Sequence, residues 1–315
     1  MIEREKFQPS LSVEIEPPHI HSNELEHSEI SKFSYLIRQM ASSIDFISVT
    51  NRATFRLSSI STMKLISTVL RNSNHAAITY PVQHLTTRLS LHDTFNELLD
   101  ARRLGIEYLL PVLGDPRGPK VSGFFNNSLE LLTFIKGVTN PDLYSSLSNQ
   151  IPSMKTVDVP YIDDGNFIVG SVIDPNEFKE SANGSKRRIR KQQIELFNKR
   201  RDLGADFFIT QGLFDPLQFL NFKDEIDCKD IPIGVGVIPP SFTIANVTGI
   251  PLSQEIKTRL KQKTSKKQQF QVALQIAHEN YCTLRENGVP WIHVYGLGRY
   301  DVFKMITEGT PTVKE

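Results

Sequence analysis

Residues 203–215 read Leu203-Gly204-Ala205-Asp206-Phe207-Phe208-Ile209-Thr210-Gln211-Gly212-Leu213-Phe214-Asp215. The run from Phe207 to Thr210 is apolar and β-prone without alternation, the pattern of a strand buried on both faces. Gln211 stands where that strand ends, and Asp215-Pro216 opens a helical segment. In a barrel of alternating strands and helices, a polar side chain at the C-terminal end of a strand points into the mouth where ligands bind. An amide buried there needs partners, because an unpaired buried polar group costs about 1–3 kcal/mol. A heteroaromatic ligand with paired donors and acceptors supplies them. The plainer reading makes Gln211 a cap for the helix that follows.

Working outward, short apolar runs alternate with longer amphipathic ones. Strands are expected at Leu11–Ile15, Phe46–Val49, Ala76–Tyr80, Glu107–Val112, Phe167–Val172, 206–210, Ile233–Val237 and Trp291–Tyr295. Helices are expected at Glu29–Ser42, Ser59–Arg71, Ser90–Arg103, Asn127–Lys136, Lys191–Leu203, Asp215–Ile226, Gln254–Arg259, Gln268–Glu286 and Tyr300–Thr307. Residues 140–165 lack periodicity and read as an extended connection, and residues 174–187 are polar. This repeating order fits an α/β fold with a parallel sheet. Eight repeats in one chain of this length fit a single (β/α)8 TIM barrel spanning 1–315 better than an open sheet. No G-x-G-x-x-G follows the first strand, which disfavours a dinucleotide-binding doubly wound fold.

The 315 residues are 39% hydrophobic and 23% charged, with a net charge of +1. That balance is an ordinary globular one and draws the protein neither to nucleic acid nor to a membrane surface. Cys228 and Cys282 fall in no metal-ligand spacing and suggest no disulfide framework. No stretch approaches the roughly 18 apolar residues of a membrane span. The charged start Met1-Ile2-Glu3-Arg4-Glu5-Lys6 has no apolar core of a secretory signal, so a reducing, cytoplasmic setting is expected. The basic runs Lys186-Arg187-Arg188 and Lys261, Lys263, Lys266 and Lys267 read as solvated faces, or as contacts for a nucleotide's phosphates.

Several strand ends carry groups that can do chemistry. Glu14 and Glu16 share one face of the first strand, just before Pro17-Pro18. A glutamate inside a barrel is costly unless paired or functional, and burial favours the protonated form a general acid requires. The bland alternative is a pair of carboxylates on a wet rim. The second strand ends in Ser48-Val49-Thr50, and His84-Leu85-Thr86 follows the third. A lone histidine there can be structural. Asp115 sits in a Gly-Asp-Pro turn that alone could be turn chemistry. The last strand supplies Tyr295, with Arg299 four residues on. No metal cluster, nucleophile elbow or phosphate-binding P-loop is present in the sequence.

Together these segments resemble the catalytic barrel of the methylenetetrahydrofolate reductase family, in order from about residue 11 to 305. Ser12-Val13-Glu14-Ile15-Glu16-Pro17-Pro18 looks like the family's S-F-E-F-F-P-P. Ser48-Val49-Thr50 matches S-V-T, and His84-Leu85-Thr86 matches H-L-T. Gly114-Asp115-Pro116 matches part of R-G-D-x-P, and Asp202-Leu203-Gly204-Ala205 with Ile209-Thr210-Gln211 resembles D-A-G-A…I-T-Q. Ile231-Pro232-Ile233 to Pro239 and Gly288-Val289-Pro290…His293-Val294-Tyr295-Gly296-Leu297-Gly298-Arg299 continue the likeness. The resemblance implies that Glu14 is the general acid opening the imidazolidine ring of methylenetetrahydrofolate. It implies that Asp115 lies between pterin and flavin, that Gln211 binds the pterin, and that Tyr295 and Arg299 line the folate. It implies FAD contacts from Thr50, His84, Asp115, Arg200 and Ala205, with NAD(P)H as hydride donor.

The sequence also departs from that pattern. The family's Y-P-E-x-H-P becomes Val172-Ile173-Asp174-Pro175-Asn176-Glu177, without either aromatic. Leu113 replaces the arginine of R-G-D, Gln193 replaces an aspartate, Arg200 replaces a lysine, and Asn51-Arg52 replaces a glycine region. The folate-side positions match more fully than the flavin-side ones. The expected activity is therefore reduction of 5,10-methylenetetrahydrofolate to 5-methyltetrahydrofolate, through FAD or by direct hydride transfer. Methionine biosynthesis is the expected setting. The alternative is a folate- or C1-carrier-binding protein, or a methyl-transferring partner of a corrinoid or homocysteine system, without reductase activity. The sequence leaves open NADH against NADPH and the oligomeric state, including a homo-oligomer.

Overall fold

The computed structural model describes residues 8–18, 27–50, 58–71, 80–114, 123–151, 154, 159–162, 167–176, 190–296 and 298–309. Eight strands close into an all-parallel barrel in chain order. They are β1 (Leu11–Ile15), β2 (Phe46–Val49), β3 (Tyr80–Thr86), β4 (Tyr108–Val112), β5 (Ile168–Ile173), β6 (Phe207–Thr210), β7 (Ile233–Val237) and β8 (Trp291–Tyr295). The principal crossover helices are α1 (His27–Ala41), α2 (Ser59–Arg71), α3 (Leu91–Arg103), α4 (Ser128–Val138), α7 (Arg190–Asp202), α8 (Leu217–Lys223) and α11 (Lys266–Glu286), with α12 (Tyr300–Glu308) after β8. Between them lie the short α5 (Pro141–Tyr144), α6 (Leu147–Gln150), α9 (Phe242–Thr248) and α10 (Gln254–Lys261). Closure is carried by β1 pairing with both β2 and β8, Ser12 standing beside Phe46 and His293.

Side-chain alternation along the strands sends apolar residues either into the barrel or out beneath the helices, and a third cluster of Phe214, Ile238, Ile256 and Leu260 lies near α9–α11. Inside the barrel, Phe46, Val82, Tyr108, Leu110, Phe207, Ile209 and Trp291 form one cluster. Phe46 sits at its centre, edge-on to Tyr108, Phe207 and Trp291 with ring centroids 6.1, 5.7 and 5.4 Å apart. Two glycines make the room: the Phe207 ring lies on Gly170, and a Cβ on Gly234 would meet the Trp291 indole at 2.7 Å. The larger core lies between strands and helices and holds Ile37, Met40, Phe134, Phe197 and Phe222.

Helix starts follow from local chemistry. Ser90 accepts from the Asp93 amide at α3, Asn127 from Leu129 and Glu130 at α4, and Ser265 from Gln268 at α11. Each satisfies amides that a helix leaves unbonded at its start. At the barrel's N-terminal face, Lys136 of α4 is 2.5 Å from Asp206, whose carboxylate also accepts from the Val169 amide.

The third strand is a correction. The apolar run Ala76–Tyr80 drew the sequence reading, but β3 runs over Tyr80–Thr86, and residues 76–79 lie outside the described ones. Polar side chains inside that strand disguised it. They are tolerated because each finds a partner: Gln83 bonds to Glu97 of α3, and His84 to Ser48 of β2. The connection over 140–165 also carries the two short helices α5 and α6. No described helix is long and apolar enough to cross a membrane.

Candidate active site

Parallel strands carry their C-terminal residues to one mouth, and Glu14, Thr50, Thr86, Asp174, Gln211 and Tyr295 all sit at or just past such ends. Glu14 is two residues beyond Ser12, so both face the barrel interior. Its register neighbours are Ser48 on β2 and Tyr295 on β8. The first-strand acid and the last-strand tyrosine are therefore brought side by side by closure itself, across 281 residues of sequence.

Tyr295 leans away from Glu14 across β7. A Cβ on Gly236 would stand 2.6 Å from its ring, so the missing side chain of β7 is what lets the ring lie there. The hydroxyl reaches β6 and donates to the Thr210 carbonyl at 2.7 Å. Burial, then the charges of Glu14 and Asp174, push the phenol well above its ordinary pKa. Tyr295 is thus a neutral hydrogen-bond donor at the mouth.

Beneath it the interior is polar. His293 packs edge-on to Tyr295 with centroids 4.9 Å apart, and its Nδ1 is 2.7 Å from Ser12 Oγ. Trp291 Nε1 donates to that same Oγ at 2.7 Å. On the opposite wall His84 Nε2 is 2.5 Å from Ser48 Oγ. Burial lowers His84 to about 4; burial and the nearby His84 lower His293 to about 3. Both imidazoles are neutral near pH 7 and serve as hydrogen-bonding struts.

Sequence reasoning missed the end of β5. Alternation along Gly170, Val172 and Asp174 carries Asp174 to the interior face. Asp174 is 6% and Asn176 5% exposed. The Asn176 amide donates to Asp174 Oδ1 at 3.1 Å, its Nδ2 to the same oxygen at 2.9 Å and to the Gly212 carbonyl at 3.2 Å. Gln211 is the adjacent strand end, its amide donating to the Ile173 carbonyl at 2.8 Å, and its side chain is exposed. The signal was the strand's own period, which carries to the interior face the carboxylate that aligns with the glutamate of Y-P-E-x-H-P.

The other expected residues fall in different places. Arg299 begins α12, is paired with Asp301 and lies over the Phe270 ring, its carbon 5.4 Å from the centroid. The Thr50 hydroxyl donates to the Ile15 carbonyl at 3.5 Å. The Arg200 guanidinium, largely buried in α7, donates to the Val172 carbonyl and, at 3.2 Å, to Ser128 Oγ. Ala205 precedes β6, at the barrel end opposite Glu14. Asp115, Asn51-Arg52 and Lys186-Arg187-Arg188 lie outside the described residues. Lys263 and Lys267 border an open cleft with Ser265, Gln268 and Gln271 beside α11. Among the described residues, no group of three or more His, Cys, Asp or Glu could hold a metal ion.

Closed parallel topology with an acid, an amide and a tyrosine at the C-terminal mouth defines a TIM-barrel protein whose site is built from strand ends. The chain belongs to the methylenetetrahydrofolate reductase family, whose model matches residues 2–311. A solved structure described as an uncharacterized protein from Clostridium thermocellum that binds two copies of 5-methyl-5,6,7,8-tetrahydrofolic acid shares the fold. It is 13% identical, with a TM-score of 0.53 over 93% of this chain and 91% of that one. Oxaloacetate acetylhydrolase in complex with 3,3-difluorooxalacetate aligns at a TM-score of 0.41 and 11% identity, over 90% of this chain and 92% of that one, too low to bear on the argument. No curated protein matches the chain.

The family implies FAD, and the described flavin-side residues do not fit it. His84 is turned into the barrel and bonded to Ser48. Arg200 is committed to Val172 and Ser128. Ala205 is at the far end, and Asp174 and Asn176 fill the β5 end. Among the described residues, His84, Arg200 and Ala205 thus do not converge on one face.

Proposed function

We propose that the protein reduces 5,10-methylenetetrahydrofolate to 5-methyltetrahydrofolate, taking hydride directly from NAD(P)H. The observation that carries this is the register pairing of Glu14 with Tyr295 at the mouth of the barrel. Glu14, part-buried, protonates N10 of the folate as the bond from N10 to the bridging carbon breaks. That leaves a cationic iminium at N5. Hydride from C4 of the dihydronicotinamide adds to its methylene carbon, giving the 5-methyl group and a pyridinium, and Glu14 regains its proton from water. Tyr295 stays protonated and donates, shaping the wall without moving a proton itself. Gln211 is assigned the pterin and Arg299 the anionic end of the folate. Positioning donor and acceptor at about 3–3.5 Å supplies most of the acceleration, and proton delivery by Glu14 a further factor of about 10²–10⁴.

A second reading is a folate-binding or methyl-transferring protein without reductase chemistry. It is favoured by the poor fit of the described flavin-side residues to FAD and by the Clostridium thermocellum neighbour, whose description names methyltetrahydrofolate. The purified protein separates the two. A colourless protein that oxidises NADH or NADPH only when methylenetetrahydrofolate is present supports direct reduction. A colourless protein that binds 5-methyltetrahydrofolate and never consumes reduced nucleotide supports the second reading. A yellow protein whose colour bleaches with NAD(P)H contradicts the direct step.

A further inference from the structure

Past the end of β6 the backbone carbonyls are taken up by side chains. The Thr210 carbonyl accepts from the Tyr295 hydroxyl at 2.7 Å, and the Gln211 carbonyl from the Thr210 hydroxyl at 2.8 Å. The Gly212 carbonyl accepts from Asn176 Nδ2 at 3.2 Å, and the Phe214 carbonyl from Asn280 Nδ2 at 3.0 Å. Two amides of the segment are bonded as well, Gln211 to the Ile173 carbonyl at 2.8 Å and Leu213 to the Gly236 carbonyl at 2.9 Å. Yet the Gln211 side chain carried by this clamped backbone is exposed. That combination suits a binding residue, because its backbone is ordered before any ligand arrives.

Of these four donors, Asn280 alone comes from a helix. It follows Ile276 by one turn of α11, on the face where Ala273 and Ile276 pack with Phe214 and Ile238 in an apolar cluster. It is only 9% exposed. A polar side chain in such a stripe is costly unless it is bonded, and a carbonyl can only accept, so the amide nitrogen is what meets Phe214. We propose that Asn280 is a positioning residue for the folate site. It pins the Phe214 carbonyl from α11, and through the segment Gln211–Phe214 it sets the backbone from which Gln211 meets the ligand. Asn280 touches no substrate itself. This assignment rests on the folate reading above.

The test is a double-mutant cycle in the full-length protein, read by titration with 5-methyltetrahydrofolate. Asn280→Leu suits the apolar stripe and removes the donor; Asn280→Asp keeps the shape and sets an acceptor against the carbonyl. Asn280→Leu and Gln211→Ala are each expected to lose about tenfold in affinity. The double variant is expected to lose no more than Gln211→Ala alone, since both changes act through one contact. A residue that only stabilises the fold would show no such coupling. Hydrogen exchange supplies an arm that needs no variant: in the wild type the Gln211 and Leu213 amides are expected to exchange only as slowly as the barrel strands, and in Asn280→Leu to exchange faster than those strands. Wild-type affinity in both Asn280 variants, additive losses in the cycle, or rapid local exchange in the wild type each overturns the Asn280 assignment while leaving folate binding intact. No binding of 5-methyltetrahydrofolate by the wild type overturns the folate reading itself, and the assignment with it.

Discussion

The Tyr295 hydroxyl donates a 2.7 Å hydrogen bond to the Thr210 carbonyl, so a side chain rooted on β8 spans β7 and closes over the end of β6. Its root is beside Glu14 and its tip beside the segment bearing Gln211. Tyr295→Phe keeps the ring and removes the donor. Leaving the carbonyl without it costs about 1–3 kcal/mol. The expected result is a lowered melting temperature with weakened folate binding, checked by thermal unfolding and titration; a variant indistinguishable from wild type in both would remove the hydroxyl from the account.

The ring can lie there because residue 236 is glycine. Gly236→Ala would set a Cβ 2.6 Å from the ring, 2.9 Å from the Gln211 carbonyl and 3.0 Å from the Thr210 carbonyl. Two of the three obstacles are backbone and cannot swing aside. Overpacking of this kind costs about 1–3 kcal/mol. We expect reduced stability in urea and displacement of Tyr295, seen as a loss of folate affinity. Unchanged affinity at full occupancy would mean the ring's seat does not matter to the ligand.

How far the sequence foretold this differs by element. β1, β2 and β8 were legible to the residue, since a short apolar run with a clear boundary leaves few choices. β3 was displaced because Gln83 and His84 look like loop residues until their partners, Glu97 and Ser48, are seen. The same blindness hid Asp174, which is polar, interior and fixed by a neighbour only two residues away. Arg200 read as a charge awaiting an anion, whereas its partners are a carbonyl 28 residues back and a hydroxyl 72 residues back. Long-range hydrogen bonds of this sort leave no periodic trace.

That geometry yields a prediction for Arg200. Its pKa is lowered by burial, and its donors hold β5 to the start of α4. Hydrogen bonds to a charged group contribute about 1.5–3 kcal/mol. Arg200→Ala is expected to lower stability by that order while leaving the affinity of the correctly folded fraction for NAD(P)H unchanged. Calorimetric unfolding paired with nucleotide titration checks both. A stable variant that no longer binds nucleotide would return Arg200 to the cofactor site.

The interior histidines set a pH dependence. In the fold His84 stays neutral down to about 4 and His293 down to about 3, against 6.5 when unfolded. Between those values the unfolded chain binds protons that the fold refuses, so stability is complete above 6.5 and falls as the pH drops toward 4. The His84 shift alone corresponds to about 3 kcal/mol. Urea unfolding across that range should show the loss, and His293→Gln should flatten part of it. A stability constant over that interval would contradict the buried neutral assignment.

The central claim is that hydride passes from nicotinamide to folate with no carrier between them. Its most direct test supplies NAD(P)H deuterated at both C4 positions, in ordinary water, and measures label in the product's methyl group. A flavin carrier holds the transferred hydrogen at a nitrogen that exchanges with solvent, whereas direct transfer gives it no such chance. Each 5-methyl group is expected to carry one deuterium, with the protein colourless throughout. Methyl groups containing only solvent hydrogen would contradict it.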